Sequence, residues 1–71
     1  MSQNAKILSY MEQHGTISAM DAMRDLGVMR LASRIHDLRE AGFEIVDIWC
    51  EERNRYGEAK RWKEYRLGKH S

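Results

Sequence analysis

As far as Gly42 the apolar residues recur at helical spacing, and beyond it they fall at alternate positions, so the chain reads as helices followed by strands. Ile7, Leu8 and Met11 form one stripe with Tyr10 on its flank, which predicts a helix capped by Ser2 or Asn4 and ended near His14 by Gly15. Thr16 and Ile17 are expected to be briefly extended, with Ile17 in the core and the piece short enough to serve as a small edge strand. Ser18 is a good N-cap, and Asp21, three residues on, is a weaker relative of the acid that closes a capping box. Ala19, Ala22, Met23 and Leu26 then predict a second helix ending at Gly27. A third helix is expected from about Met29, burying Leu31, Ile35 and Leu38 and closing at Gly42. Helix, short glycine-containing turn and helix is the helix-turn-helix arrangement.

On the third helix, Arg30, Ser33, Asp37 and Glu40 point away from the predicted core, Ala32 and Arg39 lie to one side, and Arg34 sits at the boundary. Asp37 is at helical spacing from both Arg34 and Arg30 and can pair with either. After Gly42, Phe43 and Ile45 alternate with Glu44, and Val46, Ile48, Trp49 and Cys50 continue a β-rich run. Alternation breaks over 47–49, which suggests a bulge or twist. Glu51 to Lys60 reads as a long hairpin connection containing Asn54 and Gly57, and a closing strand from about Arg61 to Leu67 returns Tyr65 and Leu67 to the core. Three helices followed by a β-hairpin predict an α+β, winged helix-turn-helix fold in one domain over 1–71, with 1–3 and 68–71 flexible and a wing from Arg53 to Arg61.

Composition narrows this picture in two ways. Of 71 residues 42% are hydrophobic and 32% charged, with no long apolar run, so a soluble fold is expected and neither a membrane span nor a secretory signal. The single cysteine, Cys50, excludes an internal disulfide and fits a reducing cytoplasm. Net charge is only +1, but it is unevenly placed. Residues 1–29 are slightly acidic, whereas Arg53, Arg55, Lys60, Arg61 and Lys63 are opposed within their own stretch only by Glu58. A domain this small often dimerises, so a homodimer is an open expectation.

Catalytic chemistry is not indicated. His14, His36 and His70 share no ligand spacing with Cys50, so no metal or other cofactor is expected. No phosphate-binding glycine loop or nucleophile set occurs, and Asp47, Glu51 and Glu52 read as solvated charge rather than an acid cluster. The protein is not expected to be an enzyme. Met1, Met11 and Met23 read as core filler, while Met20 and Met29 are candidates for a partner surface. Trp49 and Trp62 lie on opposite hairpin arms and are expected to stack across it; exposed, either becomes an interface anchor or a minor-groove wedge.

The run from Ile17 to Met23, then Gly27, then Arg-Leu-Ala-Ser-Arg-Ile-His-Asp-Leu-Arg-Glu-Ala-Gly from Arg30 to Gly42 with Ile45 following, resembles a family of small phage and prophage helix-turn-helix proteins. The likeness continues more weakly to Tyr65–Leu67. It implies a winged-helix DNA-binding protein encoded by a phage or prophage, with Arg30 and Arg34 as arginines of the recognition helix. This wing is longer and more basic than that of the plainest members.

The expected function is therefore double-stranded DNA binding in an accessory or regulatory role, as a transcriptional repressor or a recombination directionality factor in the host cytoplasm. Arg30, Ser33, Arg34 and Asp37 would meet the major groove, and Arg53, Arg55, Lys60 and Arg61 the backbone or minor groove. The alternative is a protein-interaction module, such as a phage inhibitor of a host protein, using Met20, Met29, Trp49 or Trp62.

Overall fold

The structure is a computed structural model and describes residues 2–68. Helix α1 spans Gln3–His14, and of its two candidate caps the hydroxyl of Ser2 accepts a hydrogen bond from the Ala5 N–H at 3.1 Å. Ser2 and Gln3, expected to be loose, are thus the start of the helix. Gly15 ends it at φ 89°, where its N–H donates to the Met11 carbonyl and where a side chain would be strained.

Strand β1, Ile17–Ser18, is the small edge strand anticipated, and its Ile17 is fully buried. Ser18 then caps α2, Ala19–Asp21, through a reciprocal capping box: its hydroxyl accepts from the Asp21 N–H, and the Asp21 carboxylate accepts from the Ser18 N–H, both at 3.1 Å. The expected even α-helical stripe does not continue. Ala22–Leu26 is a π-helical turn, and the wider winding changes which side chains face inward. Ala22 is buried and Leu26 packs against the core, but Ala19 is exposed and Met23 is 49% exposed. The turn into the third helix buries Val28, whose N–H reaches back to the Ala22 carbonyl at 3.0 Å.

Helix α3 is Leu31–Glu40, starting later than expected, with Arg30 at its N-cap and no side-chain hydrogen bond there. Leu31, Ile35 and Leu38 are buried as predicted. Phe43 is not a strand residue: its N–H is taken by the Leu38 carbonyl at 3.1 Å, which ends the helix and leaves the ring 42% exposed.

Strands β2 (Ile45–Arg53) and β3 (Ala59–Leu67) are antiparallel, and the sheet order is β1-β3-β2. Their register runs unbroken from Ile45 opposite Leu67 to Arg53 opposite Ala59, so the expected bulge is absent. The irregular apolar pattern has another cause: Ile45 is the one buried residue of β2, and Asp47, opposite Tyr65, is held at the edge of the core by Arg39. The connection is shorter than predicted, because the strands extend to Arg53 and resume at Ala59. Asn54 closes the turn, donating its N–H to the Glu58 carbonyl and accepting on its side-chain oxygen from the Tyr56 and Glu58 N–H groups. At the other end Gly68, expected to fray, donates to the Glu44 carbonyl at 2.7 Å and extends the ladder. The expected loose tail over 69–71, including His70, and the methionine at position 1 lie outside the described residues.

Among the described residues ten form the core: Ile7, Met11, Ile17, Ala22, Val28, Leu31, Ile35, Leu38, Ile45 and Tyr65. Met11 is the one buried methionine among the described residues, so Met23 does not fill the core as expected. A polar clasp adds to the apolar contacts. The Tyr10 hydroxyl donates to Asp25 at 2.8 Å, and Arg24 donates to both Asp25 and Asp21 at 3.0 Å, tying α1 to the π turn. The Arg24 guanidinium, helped by the Tyr10 hydroxyl, holds the Asp25 carboxyl below its ordinary pKa, and the Asp25 acceptor raises that of Tyr10. A depressed carboxyl stabilises the fold fully above the unfolded-state pKa, about 3.9, and this contribution is lost as pH falls through the lower folded value. Carboxyl NMR titration is expected to place Asp25 below a free aspartate, and Asp25→Asn to remove part of the acid sensitivity of unfolding.

Candidate nucleic-acid interface

The outward side of α3 carries Ser33, His36, Asp37 and Glu40, all exposed, with Arg34 half-buried. Part of its charge is matched locally. Arg34 lies 3.5 Å from Asp37, one turn on, and the His36 ring lies 3.3 Å from the Glu40 carboxylate, a contact that matches charge only with a protonated imidazole. Arg39 points toward the hairpin, where it donates to the Ile45 carbonyl and to the Asp47 carboxylate, each at 2.7 Å. Arg30, at the exposed start of the helix, has no ion pair among the described residues.

The hairpin presents the opposite balance. From Glu51 to Lys63, the basic side chains Arg53, Arg55, Lys60, Arg61 and Lys63 face the acidic Glu51, Glu52 and Glu58. Arg61 sits 3.9 Å from Glu51, while Arg53, Arg55 and Lys60 have no ion pair among the described residues. At the tip the Arg55 guanidinium lies 5.9 Å from the centre of the exposed Tyr56 ring, within the range of a cation–π contact. The Lys63 ammonium lies above both Trp49 and Tyr65, at 5.5 and 5.2 Å, and 3.8 Å from Asp47.

The tryptophans do not stack across the hairpin. Trp49 is opposite Lys63 and Trp62 opposite Cys50, on successive rungs, so the two rings project from opposite faces. The Trp62 indole N–H donates to Glu64 at 2.8 Å, and burial followed by the Glu64 charge pushes the Cys50 thiol pKa up. Trp49 is 72% exposed and Met29, in the turn before α3, is 77% exposed.

One groove brings several candidate residues together. Met20, Leu31 and Ala32 line one side and Lys60, Trp62 and Lys63 the other, with Glu52 beside Lys60, around about 560 Å³. The first turn of α3 and the basic part of β3 therefore border a common space, and Ser33 follows directly on Ala32. Met29 and Trp49 are not part of that lining. Sequence reasoning overlooked Arg39 as the tie between α3 and the hairpin, because its partners lie in another element. It also passed over Tyr56, for which a polar turn offered no distinguishing pattern.

A helix pair with a short glycine turn, followed by a hairpin whose inner strand is flanked by β1, defines an α+β winged helix-turn-helix domain, a small and non-catalytic type. Residues 2–70 match the family described as the winged helix-turn-helix domain, and the chain belongs to that family. No curated protein and no solved structure matches it. None of the described helices is long and apolar enough to cross a membrane, and no group of acidic, histidine or cysteine side chains among the described residues can hold a metal ion.

Proposed function

We propose that the protein binds double-stranded DNA in an accessory or regulatory role, with α3 in the major groove and the hairpin on the adjacent backbone or in the minor groove. The observation that carries this is the shared border between the first turn of α3 and the basic strand of the wing, with Arg30, Arg53, Arg55 and Lys60 unengaged by carboxylates among the described residues. Phosphate contacts from the wing supply salt-dependent affinity. Base discrimination falls to Arg30, Ser33 and Arg34, with Asp37 holding the Arg34 fork or accepting from a cytosine amino group. A single small domain binds weakly, so two copies on neighbouring half-sites complete the proposal. A phage or prophage source, the host cytoplasm as its location, and a role as repressor or directionality factor belong to the same proposal and rest on the sequence resemblance.

Fluorescence anisotropy over a salt series tests it. Arg55→Ala is expected to weaken binding to all duplexes alike and to reduce the salt slope by about one. Arg34→Ala is expected to cost roughly 1–3 kcal/mol on a preferred sequence and little on random DNA. Wild-type behaviour of both variants would remove the proposed geometry. A protein-binding role is the second reading, favoured by the Arg34–Asp37 pairing on α3 and by the exposure of Met20, Met29 and Trp49.

A further inference from the structure

The β2–β3 ladder has a definite hydrogen-bonding phase, and it leaves part of β3 open. Gly68 donates to Glu44 at one end and Asn54 donates to Glu58 at the other, and the register between them is unbroken. Hydrogen-bonded rungs alternate in an antiparallel pair, so the even-numbered residues of β3 turn their N–H and C=O groups toward β2 and the odd-numbered ones turn theirs away. Tyr65 uses its outward groups on Ile17 of β1. That cover then stops, because Ser18 caps α2 and the chain leaves the sheet at Ala19. The outward main-chain groups of Ala59 and Arg61 meet no strand among the described residues.

We infer that this open edge of β3, with the groove beside it, docks an acidic extended peptide segment of a partner protein by adding it as a further strand. The surroundings suit such an occupant. Along the open edge Lys60, Arg61 and Lys63 outnumber Glu58 and favour glutamate or aspartate on the incoming strand. Lys60 has no ion pair among the described residues, Arg61 and Lys63 lie 3.9 and 3.8 Å from Glu51 and Asp47 of β2, and Glu52, opposite Lys60, also lines the groove. Buried Leu31 and Tyr65 floor the groove and Met20 and Trp62 flank it, offering a place for one apolar side chain of that strand. A phosphate backbone would use Lys60 and Arg61 from the hairpin's outer side, but it would gain nothing from the apolar lining and would meet outward carbonyls along the edge. A second copy of the chain fits poorly too. Two-fold antiparallel pairings centred on Lys60, Arg61 or Trp62 set like charges directly opposite, which is destabilising, and the one centred on Ala59, which sets Lys60 against Glu58, runs into the hairpin turn after one rung on each side. The inference goes beyond DNA binding and does not depend on it.

The test uses the full chain and a fluorescein-labelled heptapeptide of alternating glutamate and valine, with a lysine–valine peptide as control. The acidic peptide is expected to bind saturably and the basic one not, and amide exchange at Ala59 and Arg61 is expected to slow on binding. Arg61→Pro deletes an outward N–H that β2 does not use, so the hairpin keeps its ladder. It is expected to bind about fivefold more weakly than Arg61→Ala, which loses the charge alone. Lys60→Glu leaves the backbone donors intact and is expected to shift preference toward the basic peptide. Equal binding of both peptides, no difference between the proline and alanine variants, or unchanged exchange at the edge would overturn the inference. So would a dimer that Arg61→Pro dissolves.

Discussion

Ile35→Ala is expected to remove about 2–5 kcal/mol of stability, the usual cost of emptying a well-packed aliphatic site. Ile35 is 1% exposed at the middle of α3, among Leu31, Leu38 and the other core side chains. Stability of roughly 0.05–0.15 kcal/mol per residue gives a chain of this length only about 4–11 kcal/mol in total. The one substitution therefore removes a large share of the fold. Urea unfolding followed by tryptophan fluorescence and circular dichroism checks it: the midpoint falls steeply while the slope stays constant. Met29→Ala, at a site 77% exposed, is the control and is expected to stay within about 0.5 kcal/mol of wild type. A loss below 1 kcal/mol at Ile35 would contradict the packing described above.

The second large effect is expected at Arg39. Its guanidinium is shared between the Ile45 carbonyl and the Asp47 carboxylate, so one side chain fixes the base of the hairpin to the helix before it. Both members of the ion pair are partly exposed, which weakens the Coulombic part, but the fork to a main-chain acceptor is not available to a surface pair of the ordinary kind. Arg39→Ala is expected to cost about 1–2 kcal/mol. Arg39→Lys is expected to recover less than half of that, since an ammonium lacks the planar fork. A double-mutant cycle with Asp47→Ala separates the two acceptors: coupling to Asp47 accounts for part of the loss, and the remainder belongs to the carbonyl. Full additivity of Arg39→Ala and Asp47→Ala would show that the carboxylate contributes nothing.

Helices α1 and α3 were legible in the sequence because period and stop signals agreed: Ile7 and Met11 before Gly15, and Leu31, Ile35 and Leu38 before Gly42. Ser18 with Asp21 announced α2, but nothing local announced the π turn that rotates Met23 outward, since one extra residue per turn leaves composition unchanged. Phe43 misled for a related reason. Its place in an alternating run suggested a strand, while its N–H was needed to finish the helix before it. The candidate site was legible as positions rather than as available charge. Arg30, Arg34 and Asp37 could be placed by turn geometry, with Arg34 at the boundary of the outward side, and spacing offered Asp37 either arginine, of which the structure pairs it with Arg34. The ties of Arg39 to Asp47 and of Tyr10 to Asp25 join separate elements, and no neighbouring residue encodes them.

Between Glu51 and Arg61 every side chain of the hairpin is exposed, and the molecule is drawn out to 42 Å along its longest axis against 26 and 21 Å across. Folding places little demand on the identity of those residues beyond strand formation and the Asn54 turn. Mutation can therefore rewrite the tip, in charge or in aromatic content, while the helical body keeps its stability. Such a division lets a lineage acquire new targets by drift in one short ribbon, and it leaves the ribbon the part of the chain whose sequence says most about what a given member recognises.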